Sequence, residues 1–182
     1  MVSNGYINPK PLSILLEHID AFNIDLKAFT NDFYQKYTGG KLEPVLNTLK
    51  AIRKSGKHLE VTFLVIPNLN DNEDEAKAMF EWIANELGEQ TVLHLSRFHP
   101  AYLLENSPTP HDTLIKFYQQ AKEKLQYVYL GNIHIDDDGQ NTTCPKCGNI
   151  LVKRSGFYAS QIGFDSTGNC LKCGFGPVVI NS

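Results

Sequence analysis

Apolar residues follow two alternating spacings between residues 1 and 133. Short apolar runs of strand length alternate with longer segments in which apolar residues recur every three or four positions, as on one face of a helix. The first complete run, residues 21–27, is short and mostly apolar, which is typical of a strand buried on both faces of a parallel sheet. Strands are predicted at residues 21–27, 59–66, 92–98 and 127–130, and helices at residues 9–18, 42–55, 72–87 and 113–124. Residues 30–40 are expected to form a helical turn or an ordered loop.

The order of these elements predicts the fold class. Strand and helix alternate, and because such crossovers are right-handed, the strands are predicted to be parallel. Ser3-Asn4-Gly5 has the composition of a turn and indicates the end of one more strand at the start of the chain. The predicted fold is α/β, a partial (half) parallel β/α barrel. Half a barrel leaves a sheet edge uncovered, so we expect the chain to be the C-terminal portion of a larger protein.

The end of the first apolar run carries two charged residues. Asp25 and Lys27 lie two positions apart and are predicted to leave the same face of the strand, with Leu26 on the opposite face. The carboxyl ends of parallel strands are where α/β sheets and barrels build their binding sites. From spacing alone, the two residues are interpreted either as ligand-binding groups or as an ion pair at a strand end.

Three polar residues of the strand at residues 92–98 and the loop after it receive different interpretations. His94 lies inside the strand and is interpreted as a core histidine with its hydrogen bonds satisfied. Arg97 is expected either to bind an anion or to pair with a carboxylate. His99 begins a long loop after a buried strand and is a candidate ligand-binding residue. Asn72 and Asp112 are the expected N-caps of the helices that begin near them.

Composition changes after residue 133. A polar linker is predicted at residues 134–142, separating a first domain, residues 1–133, from a small second domain, residues 143–182. The second domain contains all four cysteines, in two Cys-x-x-Cys pairs: Cys144, Cys147, Cys170 and Cys173. Two such turns complete a tetrahedral sulfur site, so a zinc ribbon is predicted, with a single iron as the alternative metal.

The charge and hydropathy of the chain indicate its cellular compartment and the classes of partner that it is expected to bind. The 182 residues carry a formal net charge of −3, which gives no electrostatic support for binding nucleic acid. No apolar run approaches the roughly 18 residues that a membrane helix needs, and the first residues do not form a signal-peptide pattern. We therefore expect a cytoplasmic protein without a membrane partner, in which the cysteines bind a metal rather than form disulfides.

Four motifs occur in order along the first domain: SNGY at residues 3–6, NIDLK at residues 23–27, VTFLVIP at residues 61–67 and HLSRFHP at residues 94–100. They resemble successive strand ends of radical S-adenosylmethionine enzymes in the branch of pyruvate formate-lyase-activating enzymes. The sequences YVYLGN at residues 127–132 and RSGF at residues 154–157, with the two cysteine pairs, narrow the resemblance to the radical enzyme of the AmmeMemoRadiSam system. The resemblance covers nearly the whole chain.

The resemblance implies a reaction and a set of binding residues. In such enzymes a [4Fe-4S] cluster reduces S-adenosylmethionine, and the 5′-deoxyadenosyl radical abstracts a hydrogen from a substrate, often a glycine of a protein. Asp25 and Lys27 would bind the methionine and ribose portion, His99 would lie near the adenosine, and Ser3 and Asn4 would line the same edge. The implied partner is a protein or small-molecule substrate of the whole enzyme.

Two departures from the family limit what the resemblance implies. Thr62 stands where activating enzymes commonly carry an arginine in the strand before Val-Pro. The Cys-x-x-x-Cys-x-x-Cys loop that binds the cluster does not occur in the sequence, and the family places it upstream of Ser3. We therefore expect this chain alone to be unable to generate the radical. The alternative function is a non-catalytic module in which the zinc ribbon binds a protein or a nucleic acid and the α/β domain is scaffold.

Overall fold

The computed structural model describes residues 1–133, 138–156 and 158–178, in two compact units, Met1–Ile133 and His134–Ser182. Of the predicted linker at residues 134–142, residues 134–137 lie outside the described residues. Residues Asp138–Gln140 form a 3-10 turn, and a strand begins at Thr142.

Five parallel strands form the sheet of the first unit. They are β1 (Val2–Ser3), β2 (Ala21–Asp25), β3 (His58–Val65), β4 (Val92–Arg97) and β5 (Val128–Gly131), and they lie side by side in chain order. Every neighbouring pair is parallel. The predicted α/β class with a parallel sheet is confirmed, and all five carboxyl ends lie at one edge.

Five helices connect these strands. They are α1 (Pro9–His18), α2 (Asn31–Phe33), α3 (Leu42–Lys54), α4 (Glu73–Trp82) and α5 (His111–Lys122). Two of them continue directly into π-helical turns, α2 into Tyr34–Thr38 and α4 into Ile83–Leu87. Of the two alternatives for residues 30–40, the helical one is therefore correct. Gly39 and Gly88 end the π-helical turns with φ of 68° and 98°, values that favour glycine.

The N-cap predictions have opposite outcomes. The Asn72 side chain accepts hydrogen bonds from the backbone N–H groups of Asp74 and Glu75, at 3.0 and 3.1 Å, which confirms it as the cap of α4. The expectation that Asp112 caps the last helix is wrong, because α5 begins one residue before it, directly after Pro110. Asp112 instead lies in the first turn, where the helix dipole favours a carboxylate.

One face of the sheet holds the core, and the other face is polar. Phe22 and Phe63 are buried on the core face, where the Phe63 ring stacks on Phe117 of α5 with 6.4 Å between centroids. Asn23 and Asp25 point the other way and are half-exposed. The expectation that the strand at residues 21–27 is buried on both faces is therefore wrong: in the described first unit, β2 buries every second side chain, as a strand covered on one face does.

The second unit is a small antiparallel sheet with two cysteine turns. Its strands are β6 (Thr142–Thr143), β7 (Ile150–Ser155) and β8 (Tyr158–Gln161), in that spatial order. Leu151 of β7 is fully buried, and Phe164 and Val178 pack against the same small cluster as the cysteines. This is the arrangement expected of a zinc ribbon, in which the metal site takes the place of a larger core.

Candidate cofactor-binding edge and metal centre

The two Cys-x-x-Cys pairs form equivalent tight turns. The backbone N–H of Gly148 donates to the carbonyl of Cys144 at 2.9 Å, and that of Gly174 donates to the carbonyl of Cys170 at 2.8 Å. Both glycines have left-handed φ angles, 70° and 67°. An L-residue with a side chain rarely adopts this conformation, so glycine after each pair lets the chain close the turn.

The four sulfur atoms have the spacing of a single-ion site. Cys144 Sγ lies 3.7 Å from Cys173 Sγ, and Cys147 Sγ lies 3.7 Å from Cys170 Sγ, and all four lie within 4.8 Å of one another. A tetrahedron with zinc–sulfur bonds of about 2.3 Å has sulfur atoms about 3.8 Å apart. A disulfide would need about 2.05 Å. The donor set therefore fits one tetrahedral metal ion.

The surroundings of Cys170 favour the thiolate that a metal requires. Its burial opposes ionisation, but the backbone N–H groups of Cys173 and Lys172 and the neighbouring thiols lower the pKa of Cys170 to about 6. At Cys147 the backbone of Asn149 lowers the pKa, but burial and the neighbouring thiols outweigh it and raise the pKa to about 12, so the first thiolate of the group is at Cys170. Asn149 Nδ2 lies 3.8 Å from Cys170 Sγ, within the range of a hydrogen bond to sulfur. Such contacts hold a sulfur ligand in place from the second layer of the site.

The turn after β1 brings two predicted site residues to the carboxyl edge. Ser3 Oγ accepts a hydrogen bond from the backbone N–H of Gly5 at 3.1 Å, and Asn4 Oδ1 accepts one from Tyr6 at 3.0 Å. Gly5 has φ of 70°, and a Cβ added there would lie 2.7 Å from Ile24 Cγ2 of β2. The turn can therefore lie against β2 only because residue 5 is glycine.

Asp25 and Lys27 form an ion pair at the end of β2. Lys27 Nζ lies 3.0 Å from Asp25 Oδ2, and both side chains remain partly exposed, at 40% for Lys27 and 35% for Asp25. The backbone around them is held by the hydroxyl of Tyr34, which accepts from the Lys27 N–H at 3.1 Å, and by Asn70 Nδ2, which donates to the Lys27 carbonyl at 2.7 Å. Burial, with the nearby Asp25 charge, raises the pKa of Tyr34 to about 12, so this hydroxyl stays neutral.

A pocket of about 220 Å³ joins the ends of β1 and β2. It is lined by Asn4 and Lys27, and by Tyr6, Tyr34 and the glycine turn that follows the first π-helical segment. Pockets that take a whole small ligand have volumes of roughly 300–1,000 Å³, so this one suits part of a ligand that continues along the open edge. The structure thus brings Asn4 and Lys27 together in one pocket, with Asp25 paired to Lys27.

His99 lies at a different place on the same edge. It follows β4, two strands away from β2, which corresponds to about 10 Å in the plane of the sheet. Its side chain is exposed, and Nε2 lies 3.3 Å from the carbonyl oxygen of Asn132, after β5. Arg97 Nε donates to the carbonyl oxygen of Thr109 at 2.8 Å and so fixes the base of the following loop. Among the described residues Arg97 forms no ion pair with a carboxylate, and its expected binding of an anion stays a prediction.

A cluster of hydrogen-bonded side chains on the polar face of the sheet was not predicted from the sequence. Glu60 Oε2 accepts from Asn23 Nδ2 at 3.2 Å and lies 2.9 Å from His94 Nε2, while Glu60 Oε1 lies 3.1 Å from His58 Nε2. The Thr62 hydroxyl donates to Asn23 Oδ1 at 2.8 Å. The expectation that His94 is a core histidine is wrong, since its side chain is 32% exposed and faces away from the core.

The cluster keeps Glu60 ionised. The hydrogen bond from His94 is the largest influence and lowers its pKa; burial opposes this, and His58 adds to it, so that the pKa of Glu60 falls from 4.5 to about 2. The signal that could have found the cluster is the strict alternation in residues 58–65, where His58, Glu60 and Thr62 interleave with buried apolar residues.

Comparison with known proteins agrees with this geometry. Residues 1–83 match the family model of the Radical SAM superfamily. The match covers 83 of the 182 residues, and over these residues the chain is similar to the radical SAM superfamily. The matched residues include the turn after β1, the Asp25–Lys27 ion pair and the members of the cluster around Glu60 other than His94. Members of that superfamily are enzymes.

One curated relative is similar over almost the whole chain. It is "Uncharacterized protein MJ0808" of Methanocaldococcus jannaschii, which is 45% identical over 177 residues, covering 96% of this chain and 52% of the relative. The chain therefore spans about half the length of the curated relative it matches.

Solved structures confirm the fold. A domain of pyruvate-formate lyase-activating enzyme from Bacteroides vulgatus aligns with a TM-score of 0.64 at 13% identity, covering 71% of this chain and 79% of that domain. A radical SAM methyltransferase from Sphaerobacter thermophilus aligns with a TM-score of 0.59 at 12% identity, covering 70% and 38%. TYW1 with a lysine-pyruvate adduct bound aligns with a TM-score of 0.52 at 26% identity, covering 76% and 43%. The predicted radical SAM type of α/β fold is thus confirmed. In the described part of the chain, no helix is long and apolar enough to cross a membrane.

Proposed function

We propose that this chain supplies the S-adenosylmethionine-binding edge of a radical SAM enzyme, and that its second unit is a structural zinc ribbon. The observation that carries the proposal is the family match over residues 1–83, which contains the charged pair at the end of β2 and the turn that lies beside it. The bound cofactor, with its [4Fe-4S] cluster, would supply hydrogen-abstraction chemistry. What this chain's residues contribute is binding and orientation.

Asp25 and Lys27 are suited to the polar end of the cofactor. The methionine part of S-adenosylmethionine carries both an ammonium and a carboxylate, and the ribose carries two hydroxyl groups. A carboxylate and an ammonium held in fixed register can meet such groups with charge-assisted hydrogen bonds. Both side chains are partly exposed, so a ligand can replace the contact that they make with each other.

Ser3, Asn4 and His99 would complete the edge around the rest of the cofactor. Asn4 shares the pocket of Lys27, and Ser3 begins the turn that forms its wall. His99 lies farther along the edge, at a distance that suits the adenine end of an extended ligand. All three side chains keep hydrogen-bonding capacity beyond the single contact that each makes within the described residues.

The proposed hydrogen donor is a glycine of a partner protein, as in glycyl-radical activation. The ordered motifs at the strand ends support this role, and the solved domain of an activating enzyme has the same fold. All four cysteines of the sequence lie in the one metal group, so this chain offers no separate cysteine set for the cluster. The cluster would therefore have to be held by residues outside this sequence.

Calorimetric titration of the chain with S-adenosylmethionine tests the proposed binding edge. Asp25→Asn and Lys27→Met should each weaken binding by roughly 10- to 150-fold, the effect of losing a charge-assisted hydrogen bond worth about 1.5–3 kcal/mol. Lys10→Met, on the exposed surface of α1, is the matched control and should leave the affinity unchanged. If both site variants lower the melting temperature but leave the affinity unchanged, the pair is structural only and the proposal is wrong.

The zinc-ribbon part of the proposal has its own support. Four sulfur atoms at tetrahedral spacing, two of them on buried cysteines, suit a closed structural site without a vacant position. Such a site stabilises its unit and does not itself catalyse a reaction. The alternative function, a ribbon that binds a protein or nucleic acid on an inert scaffold, predicts that the α/β unit binds no S-adenosylmethionine, so the same titration separates the two.

A further inference from the structure

A row of four side chains crosses the polar face of the sheet. The strand register places Asp25 of β2 opposite Thr62 of β3, Thr62 opposite His94 of β4, and His94 opposite Tyr129 of β5. All four are half-buried. Adjacent strands lie about 4.8 Å apart, so Asp25 and His94 are about 10 Å apart across Thr62. A molecule lying on this face beside a ligand held at Asp25 would therefore meet His94.

Glu60 determines which nitrogen of His94 carries the hydrogen. An ionised carboxylate only accepts hydrogen bonds, so His94 Nε2, at 2.9 Å from Glu60 Oε2, must be the donor. In the neutral ring this leaves Nδ1 as the acceptor. Among the residues that the structure describes, no hydrogen bond engages His94 Nδ1. The ring of Tyr129 stacks on that of His94, with 5.6 Å between centroids and 28° between planes, and so restricts the orientation of the imidazole.

The carboxylate is itself held from two sides. Asn23 Nδ2 donates to Glu60 at 3.2 Å, and the Asn23 amide is oriented by the Thr62 hydroxyl, which donates to its oxygen at 2.8 Å. His58 contacts the other carboxylate oxygen at 3.1 Å. A carboxylate fixed in this way holds the paired imidazole in one tautomer and orientation, as in other carboxylate–histidine pairs.

We propose that His94 is the substrate-facing base of the polar sheet face, with Glu60 as its positioning residue, and that its Nδ1 accepts a hydrogen bond or a proton from a hydroxyl or amino group of the substrate. If a proton is transferred, the substrate O–H or N–H bond breaks, the electron pair stays on the substrate oxygen or nitrogen, and the imidazolium that forms is balanced by the Glu60 carboxylate. The proposal deepens the proposed function by naming a polar substrate group, and it rests on that function only for the identity of the neighbouring cofactor.

Nitrogen-15 NMR of the histidine rings in the full chain tests the tautomer. In mildly alkaline buffer the His94 ring should carry its hydrogen on Nε2, with Nδ1 unprotonated. A hydrogen on Nδ1 of the neutral ring would overturn the proposal, because Nδ1 would then be a donor and could not accept a hydrogen bond or a proton from the substrate. This measurement needs neither the cluster nor S-adenosylmethionine.

Titration with ethanolamine, which carries both a hydroxyl and an amino group, tests the binding role. We expect a saturable shift of the His94 ring signals and none at His111, which is exposed at the start of α5. Glu60→Gln should weaken this binding roughly tenfold, while Glu17→Gln, on the exposed surface of α1, should leave it unchanged. A shift that does not saturate, or an equal shift at His111, would overturn the proposal.

His94→Gln provides the second variant. Ethanolamine binding to this variant is followed by the backbone amide signals of Thr62 and Gly131. We expect no saturable binding, and we expect the circular dichroism spectrum to be unchanged. Binding equal to that of the unaltered chain would overturn the proposal. Failure of the proposed function is separately visible: loss of S-adenosylmethionine affinity concerns Asp25 and Lys27, whereas the tautomer and the ethanolamine response concern Glu60 and His94.

Discussion

Asn70 offers a sharp test of how the end of β2 is held. Its side chain is buried and makes three hydrogen bonds to the backbone: Oδ1 accepts from the Ile66 N–H at 2.6 Å, and Nδ2 donates to the carbonyl groups of Lys27 at 2.7 Å and Leu64 at 2.9 Å. It thus links the segment that carries Lys27 to the end of β3. Asn70→Ala removes all three bonds at once and leaves one donor and two acceptors of the backbone without this partner.

The expected cost follows from these contacts. Each hydrogen bond contributes about 1 kcal/mol net, and backbone groups left unsatisfied in a buried site add to the loss, so we expect the free energy of unfolding to fall by about 2–4 kcal/mol. An unfolding entropy of about 2.1 cal/mol/K per residue over the unit Met1–Ile133 gives about 0.28 kcal/mol/K. The melting temperature of this unit should therefore fall by about 7–14 °C.

The assay is thermal and urea unfolding of the full chain, followed by circular dichroism. Asn47→Ala is the matched control, because Asn47 is exposed on α3, and it should change the free energy of unfolding by less than about 0.5 kcal/mol. If Asn70→Ala and Asn47→Ala unfold together, the three short hydrogen bonds do not hold this edge and the reasoning is refuted. The Asn70 variant should also bind S-adenosylmethionine more weakly, since the Lys27 backbone loses its anchor.

Three further predictions concern the metal and the polar face. Elemental analysis of the purified chain should find one zinc ion per chain, and Cys170→Ser should reduce this below half an equivalent; disulfide-paired cysteines without metal would contradict it. Anaerobic treatment with iron and sulfide should add no [4Fe-4S] cluster, because the four cysteine sulfur atoms are spaced to bind a single metal ion. A broad visible absorption band with about four irons per chain would refute that assignment. The pKa of Glu60 is about 2 in the folded chain, below its ordinary value of 4.5, so on acidification the unfolded chain takes up this proton first. The contribution of ionised Glu60 to the free energy of unfolding is therefore fully present above about pH 4.5 and is lost as the pH falls toward 2. Partial exposure reduces this contribution to about 1–2 kcal/mol, and Glu60→Gln should flatten the stability profile in that window.

The strand and helix order could be predicted because each element follows a simple period. Residues 42–55 show a clear helical stripe, and the structure places α3 at Leu42–Lys54. The π-helical continuations could not be predicted, because a turn one residue wider leaves the apolar spacing almost unchanged over five residues. The start of α5 was misplaced because capping preferences assign Asp112 correctly to the first turn but do not fix which position of that turn it takes.

The candidate site was predictable where the signal is local. The cysteine pairs and the charged pair at the end of β2 are each defined by a few neighbouring residues. The cluster around Glu60 is different, because Glu60, His94 and Asn23 come from three strands and meet only through the register of the sheet. His94 was interpreted from its own strand alone, in which a single polar residue among apolar ones is typical of a core position.

The one-sided burial of the sheet has a consequence for how this protein can change over evolutionary time. Because successive side chains of a strand face opposite ways, tolerance to substitution should alternate between odd and even positions. Phe22 and Ile24 on β2, and Val61 and Phe63 on β3, are buried and are constrained by stability. Their immediate neighbours along each strand are constrained by the chemistry of the polar face. New specificities can then be sampled on one face without disturbing the apolar packing of the other. A single-residue insertion within either strand would exchange the two sets and lose both at once.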